Sequence, residues 1–150
     1  MRKLISEDKK IMGIVHAEIE LVNSGDVAIA RRGIIRPEEV RRIKVNALVD
    51  SSAYMLAINE NIQQQLGLDK IGEQTARYAD ESLHTLDEVG PVEVIFGNRS
   101  TSTRAFVLPG DAEVLLGAIP MEALDVIIDP RDQKMKVHPD RPYIAGTLLK

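Results

Sequence analysis

Val15, Ala17, Ile19 and Leu21 alternate with His16, Glu18 and Glu20, and this period of two predicts a strand with one buried face. Asn23-Ser24-Gly25-Asp26 reads as a turn, and Val27-Ala28-Ile29-Ala30 as a second short strand. Arg31 to Val40 is charged and contains Pro37, which predicts an exposed connection. From Ile43 the alternation resumes through Val45 and Ala47. It then becomes continuously apolar at Leu48-Val49, as a strand entering a core would, and stops at Asp50-Ser51-Ser52-Ala53.

Tyr54 to Ile58 is again strand-like. Asn59 is placed to cap a short helix whose Ile62 and Leu66 share a face, with Gly67 positioned to end it. Thr75 to Ala79, Leu83 to Val89, Val92 to Phe96 and Thr103 to Leu108 follow as strands, broken at Asp80-Glu81-Ser82, Gly90-Pro91 and Gly97-Asn98. Val114-Leu115-Leu116-Gly117 predicts a buried strand, Pro120 to Leu124 a short helix, and Val126-Ile127-Ile128 a strand stopped by Asp129-Pro130. Lys134 to Val137 is the last readable strand, and Tyr143 to Leu149, with Gly146 inside it, reads either as a further strand, slightly preferred, or as a loose tail. Many short strands at close spacing favour a barrel or sandwich over a parallel sheet. A weak internal repeat, in which Ala47-Leu48-Val49-Asp50 and Val114-Leu115-Leu116-Gly117 each lead to a short helix, suggests a pseudo-two-fold domain.

Composition narrows this picture. The 150 residues suit one domain, with a charged segment at 1–10 and a tail at 138–150; 44% are hydrophobic but only 3% aromatic, so aliphatic side chains must build the core. A formal charge of -4 and few stacking aromatics argue against nucleic acid. Arg31, Arg32, Arg36, Arg41, Arg42 and Lys44 are interspersed with Glu38 and Glu39, a solvated face more readily than a binding patch. With no cysteine, disulfides and thiolate chemistry are excluded. No apolar run reaches spanning length and Met1 to Lys10 is charged, which sets the expectation of a cytoplasmic protein without membrane contact.

A carboxylate ending an apolar strand must be hydrogen-bonded or paired, so Asp50 is the first candidate for chemistry. One account is a turn carboxylate bonded to the amides of Ser52 or Ala53; the other is catalytic. His16, His84 and His138 are far apart and lack metal-ligand spacing, so neither metal nor cofactor is expected. Ser51 and Ser52 lack the Gly-x-Ser-x-Gly elbow of a serine nucleophile, and Gly13, Gly25 and Gly33 are isolated rather than part of a phosphate loop.

Ala47-Leu48-Val49-Asp50-Ser51-Ser52-Ala53 resembles the active-site segment of aspartic proteases, two apolar residues followed by Asp-Thr/Ser-Gly-Ala/Ser. The later order is similar to that of the bacterial retropepsin-like group: a helix from Asn59 to Leu66, a hairpin, the apolar-apolar-Gly element Leu115-Leu116-Gly117, and the ending Leu124 to Pro130. The resemblance covers roughly residues 43 to 137. It implies a mainly β, acid-protease-like closed barrel with one or two short helices, and an aspartic endopeptidase whose catalytic Asp50 must be doubled by a homodimer. It implies that two such carboxylates share one proton, that Ser51 braces the loops across the dimer, and that the hairpin from Arg77 to Val89, with Asp80-Glu81-Ser82 at its tip, is a flap over peptide or protein substrate. Ser52 stands where the pattern has glycine, and the tip has no glycine either. That departure gives the alternative, a catalytically inactive dimer that binds peptides or partner proteins.

Overall fold

The computed structural model describes residues 14–149, so the charged start, Met1 to Lys10, lies outside the described residues. In chain order the elements are β1 (Val15–Asn23), α1 (Ser24–Arg31), a 3-10 turn (Pro37–Glu39), β2 (Arg42–Val49), β3 (Leu56–Asn59) and α2 (Glu60–Leu66). They continue with β4 (Lys70–Arg77), β5 (Leu83–Phe96), β6 (Arg99–Leu108), β7 (Leu115–Leu116), α3 (Ala118–Leu124), β8 (Val126–Asp129) and β9 (Lys134–Val137). The described residues are thus mainly β with three short α-helices, where one or two were expected. Among the described residues no helix is long and apolar enough to cross a membrane.

Seven strands form one sheet in the order β1-β2-β7-β3-β6-β5-β4, and β1 pairs also with β5, Asn23 opposite Val92 and Glu20 opposite Ile95. β8 and β9 form a separate hairpin. The alternation of β1 places Val15, Ala17, Ile19 and Leu21 in the core with Leu56, Ile58, Leu66, Val89, Val94 and Leu116. Each buried Val, Leu or Ile side chain among these contributes about 1.5–3 kcal/mol by leaving water.

Three local expectations are corrected. Residues 27–30 are not a strand but part of α1, because Asn23 is an N-cap, its side chain accepting from the Asp26 amide at 3.0 Å; a short apolar run does not by itself distinguish strand from helix. Gly90-Pro91 does not end a strand: β5 passes through, and its register with β6 shifts between Val89 and Val92 to accommodate the pair. The strand expected from Thr75 begins earlier, at Lys70. By contrast, Asn59 caps α2 through the Ile62 amide and Gly67, at φ 60, ends it, as its sequence implies.

Residues 138–149 form no strand within the chain, and Tyr143 and Ile144 are 89% and 79% exposed. They are nonetheless tied down. The buried Asp125 carboxylate accepts from Arg141 Nε at 2.6 Å, from Arg141 Nη2 at 2.9 Å and from the Gly146 amide at 2.9 Å. A second clasp joins α1 to the residue before β2, where buried Asp26 accepts from the Arg41 amide, Nε and Nη2 at 2.8–3.0 Å. Much of the basic stretch is neutralised in this way, since Arg36 pairs with Glu39 and Arg42 with Glu20.

The Arg41 side chain holds the Asp26 carboxyl below the usual carboxylate range, and the Arg141 side chain does the same for Asp125. A lowered folded value means that this stabilisation is whole above about pH 4 and is lost as pH falls from there toward the folded values. The unfolding midpoint is therefore expected to drop below about pH 4. Asp26→Asn should cost about 2 kcal/mol at neutral pH and flatten that acid decline. Thermal melts across pH check it; an unchanged acid slope in the variant would refute the assignment.

Candidate active site

Asp50 follows the last residue of β2, where Leu48 lies beside Leu115 and Val49 beside Leu116 in parallel pairing. The two apolar segments that repeat in the sequence are therefore neighbours in space. The Leu48 amide donates to Val114 O at 2.8 Å and the Asp50 amide to Leu116 O at 3.0 Å. On the far side of the loop the Ala118 amide donates to Ala53 O at 2.8 Å and that of Ile119 to Tyr54 O at 2.9 Å. The loop is thus held at both ends by the segment from Val114 to Ile119, which contains the Leu115-Leu116-Gly117 element.

Gly117 is what allows this approach. A Cβ there would lie 2.5 Å from Met55 O, 2.7 Å from Met55 N and 2.7 Å from Tyr54 C, all backbone atoms that cannot swing aside. The glycine of the apolar-apolar-Gly element is needed for contact between two main chains, not for a left-handed turn.

Within the loop, Asp50 Oδ1 accepts from the Ser52 amide at 3.0 Å and from the Ser52 hydroxyl at 2.5 Å, while the Ala53 amide donates to Asp50 O at 3.1 Å. The turn-carboxylate account of Asp50 is therefore realised in the single chain, and it orients a half-buried carboxylate without hiding it. Ser52 has ordinary backbone angles, since the described non-glycine residues with positive φ are Glu81, Asp125 and Gln133. No backbone strain separates serine from glycine here. Ser51 is exposed, and its hydroxyl has no partner among the described residues.

Above the loop stands the β4–β5 hairpin. Tyr78 and Ser82 close it, the Tyr78 amide donating to Ser82 O and the Glu81 amide to Tyr78 O, each at 2.9 Å. Glu81 occupies the left-handed position at φ 68, the place for which a glycine would be the usual choice in this turn. Asp80 Oδ1 accepts from the Ser82 amide at 2.9 Å and from its hydroxyl at 2.5 Å, and these bonds, the hydroxyl foremost, hold Asp80 below the usual carboxylate range.

Between loop and hairpin lies a cleft of about 780 Å³, lined by Asp50, Ser52 and Ala53 below, by Gln74 to Ala79 of the hairpin, and by Met55, Phe106, Leu108 and Leu115 at the sides. The structure thus brings Asp50, Ser52, Ala53 and Leu115 to one cleft, with Leu116 and Gly117 as the support beneath. The tip residues Asp80, Glu81 and Ser82 are not among its walls. Sequence reasoning missed Tyr54, Met55, Tyr78, Phe106 and Leu108; that Tyr54, Tyr78 and Phe106 are three of the chain's five Phe and Tyr residues was the available signal. The histidines stay apart: His16 is 3.4 Å from Glu113, His84 sits on the hairpin and His138 Nδ1 accepts from the Asp140 amide. Among the described residues no three His, Cys, Asp or Glu side chains cluster as a metal site would require.

No family model matches the chain, and no curated protein does. Solved structures do. The retroviral protease-like domain of Ddi1 from Leishmania major is 12% identical, with a TM-score of 0.51 over 83% of this chain and 90% of that one. A retropepsin-like aspartic protease from Rickettsia conorii is 18% identical, with a TM-score of 0.47 over 77% of this chain and 87% of that one. The fold is like that of the retroviral protease-like domain of Ddi1.

Proposed function

We propose that the chain is an aspartic endopeptidase active as a homodimer, its sheet closed into a barrel by the β1–β5 pairing and its single Asp50 doubled by that of a second copy. The observation that carries this is the position of Asp50: a half-buried carboxylate on the floor of a peptide-sized cleft, beneath a hairpin, in this fold. Asp50 is the one carboxylate that lines this cleft, which makes the second copy a condition of activity. Tyr54, 75% exposed, and Ile119, 50% exposed, flank the loop and are bonded through their backbones, and this apolar surface supports a partner there.

In the aspartic proteases two adjacent carboxyls share one proton because both cannot ionise cheaply. The ionised Asp50 would activate a water for attack on the peptide carbonyl. The protonated one would polarise that carbonyl and then protonate the departing amine, with no covalent intermediate. Ser51 takes the place of the residue whose hydroxyl braces the paired loops, and the Arg77 to Val89 hairpin that of the flap, which excludes water on closing. The tail from 138 onward supplies dimer contacts. The resting compartment of this reading is the cytoplasm.

A second reading is favoured by one observation. The Ser52 hydroxyl, absent from a glycine loop, takes an acceptor position on Asp50 at 2.5 Å, so the dimer could hold peptides without cleaving them. Incubation of the purified protein with an unstructured protein and a mixed decapeptide library over a range of pH, with new termini read by mass spectrometry, tests the first reading. Cleavage by the natural chain, within about tenfold of the Ser52→Gly variant, is the expected result. Cleavage that appears only in Ser52→Gly would establish the silent dimer, and cleavage by neither would refute the protease reading.

A further inference from the structure

The hairpin carries a second arrangement that the dyad does not use. Ala76 pairs with His84 and Gln74 with Leu86, so Tyr78, two residues beyond Ala76, shares their face and is a diagonal neighbour of His84. The two rings stack, centroids 4.0 Å apart and planes 29° from parallel. His84 Nε2 is 2.8 Å from Ser82 Oγ, which is 2.5 Å from Asp80 Oδ1. A hydroxyl has one proton and a carboxylate can only accept, so Ser82 donates to Asp80 and accepts from His84 Nε2–H. The imidazole is thereby pinned at one edge and stacked on the ring of Tyr78, a residue of the cleft wall.

Ordering exposed side chains at a hairpin tip costs rotamer entropy that an unemployed surface would not spend. We infer that Tyr78 is the specificity-determining residue of the hairpin, meeting an apolar side chain of a bound peptide, and that Ser82 and His84 are positioning residues that hold its ring over the cleft. The inference rests on the reading that a peptide lies beneath the hairpin. Met55, Leu86, Phe106, Leu108 and Leu115 add further apolar wall, so the favoured peptide presents a large aliphatic or aromatic side chain there rather than a small one.

The test uses the full chain and the mixed decapeptide library, with KM and kcat measured for the best-cleaved sequence and for its variant with alanine beside the cleaved bond. Tyr78→Ala is expected to raise KM about tenfold and to erase most of the preference over the alanine peptide, with kcat moving by about twofold or less. Tyr78→Phe should recover most of that loss. His84→Ala should raise KM about threefold and His84→Phe, which keeps the stack, should restore it, an order that a general loss of stability would not produce. An unmoved KM in Tyr78→Ala, or equal behaviour of His84→Ala and His84→Phe, overturns the inference; if Asp50→Asn still abolishes cleavage, the protease reading then stands alone. If the natural chain binds the library without cleaving it, the same ratios are read as Kd. Neither cleavage nor binding overturns both readings together.

Discussion

Asparagine at position 50 is expected to abolish peptide hydrolysis while leaving the protein folded. In the proposed dimer the substitution removes from each copy the one carboxyl that the described residues place at the cleft floor, and lost general acid–base catalysis alone accounts for about 10²–10⁴-fold. Loss of activity at the upper end of that range is the expected result, because acid and base disappear together. Stability should change by about 0.5 kcal/mol or less, since an amide Oδ1 can accept the same two bonds from Ser52 that the carboxylate accepts now. Paired measurements of library cleavage and thermal unfolding separate the effects. Full activity in Asp50→Asn would end the proposal.

Gly117→Ala is expected to produce the largest loss of stability of any single methyl addition considered. Its new carbon would sit 2.5–2.7 Å from the main chain of Tyr54 and Met55, so α3 and the Asp50 loop would have to separate. That separation would strain the bonds from Ala118 to Ala53 and from Ile119 to Tyr54. Overpacking against backbone costs about 3 kcal/mol, or about 10 °C in Tm for a domain of this size. Gly33→Ala is the control: it meets nothing within 4 Å and has only a φ of 74 to bear, about 1–2 kcal/mol. Equal losses in the two variants would show that close approach at Gly117 is not what locks the loop. Activity should fall with stability in Gly117→Ala, because the carboxylate is carried by the displaced loop.

Where one sequence feature had one physical meaning, it was readable in advance. The alternation of β1, the Asn59 and Gly67 signals around α2, and the apolar run into Asp50 each led to the element observed. The misreadings came where local chemistry was ambiguous or tertiary pairing intervened. Asn23 serves turns and N-caps equally, and its choice was settled by the Asp26 amide and by Leu66 O, to which its own amide donates at 2.8 Å. Gly90-Pro91 reads as punctuation, yet β5 is held on both sides of it by β4, β6 and β1. At the site, Asp50, Ser52 and Gly117 were legible because they belong to contiguous motifs. The Tyr78–His84 stack was not, since it depends on hairpin register, and neither was the Asp125–Arg141 clasp, which joins residues that no local pattern relates.

The central claim is that two copies of this chain bring their Asp50 side chains together. A crystal structure of the assembled protein measures this directly. The account predicts a two-fold axis through the cleft with the two carboxyl groups about 3 Å apart, close enough to share a proton. A protein that stays monomeric at crystallisation concentrations, or a dimer whose Asp50 side chains face away from each other, would contradict it.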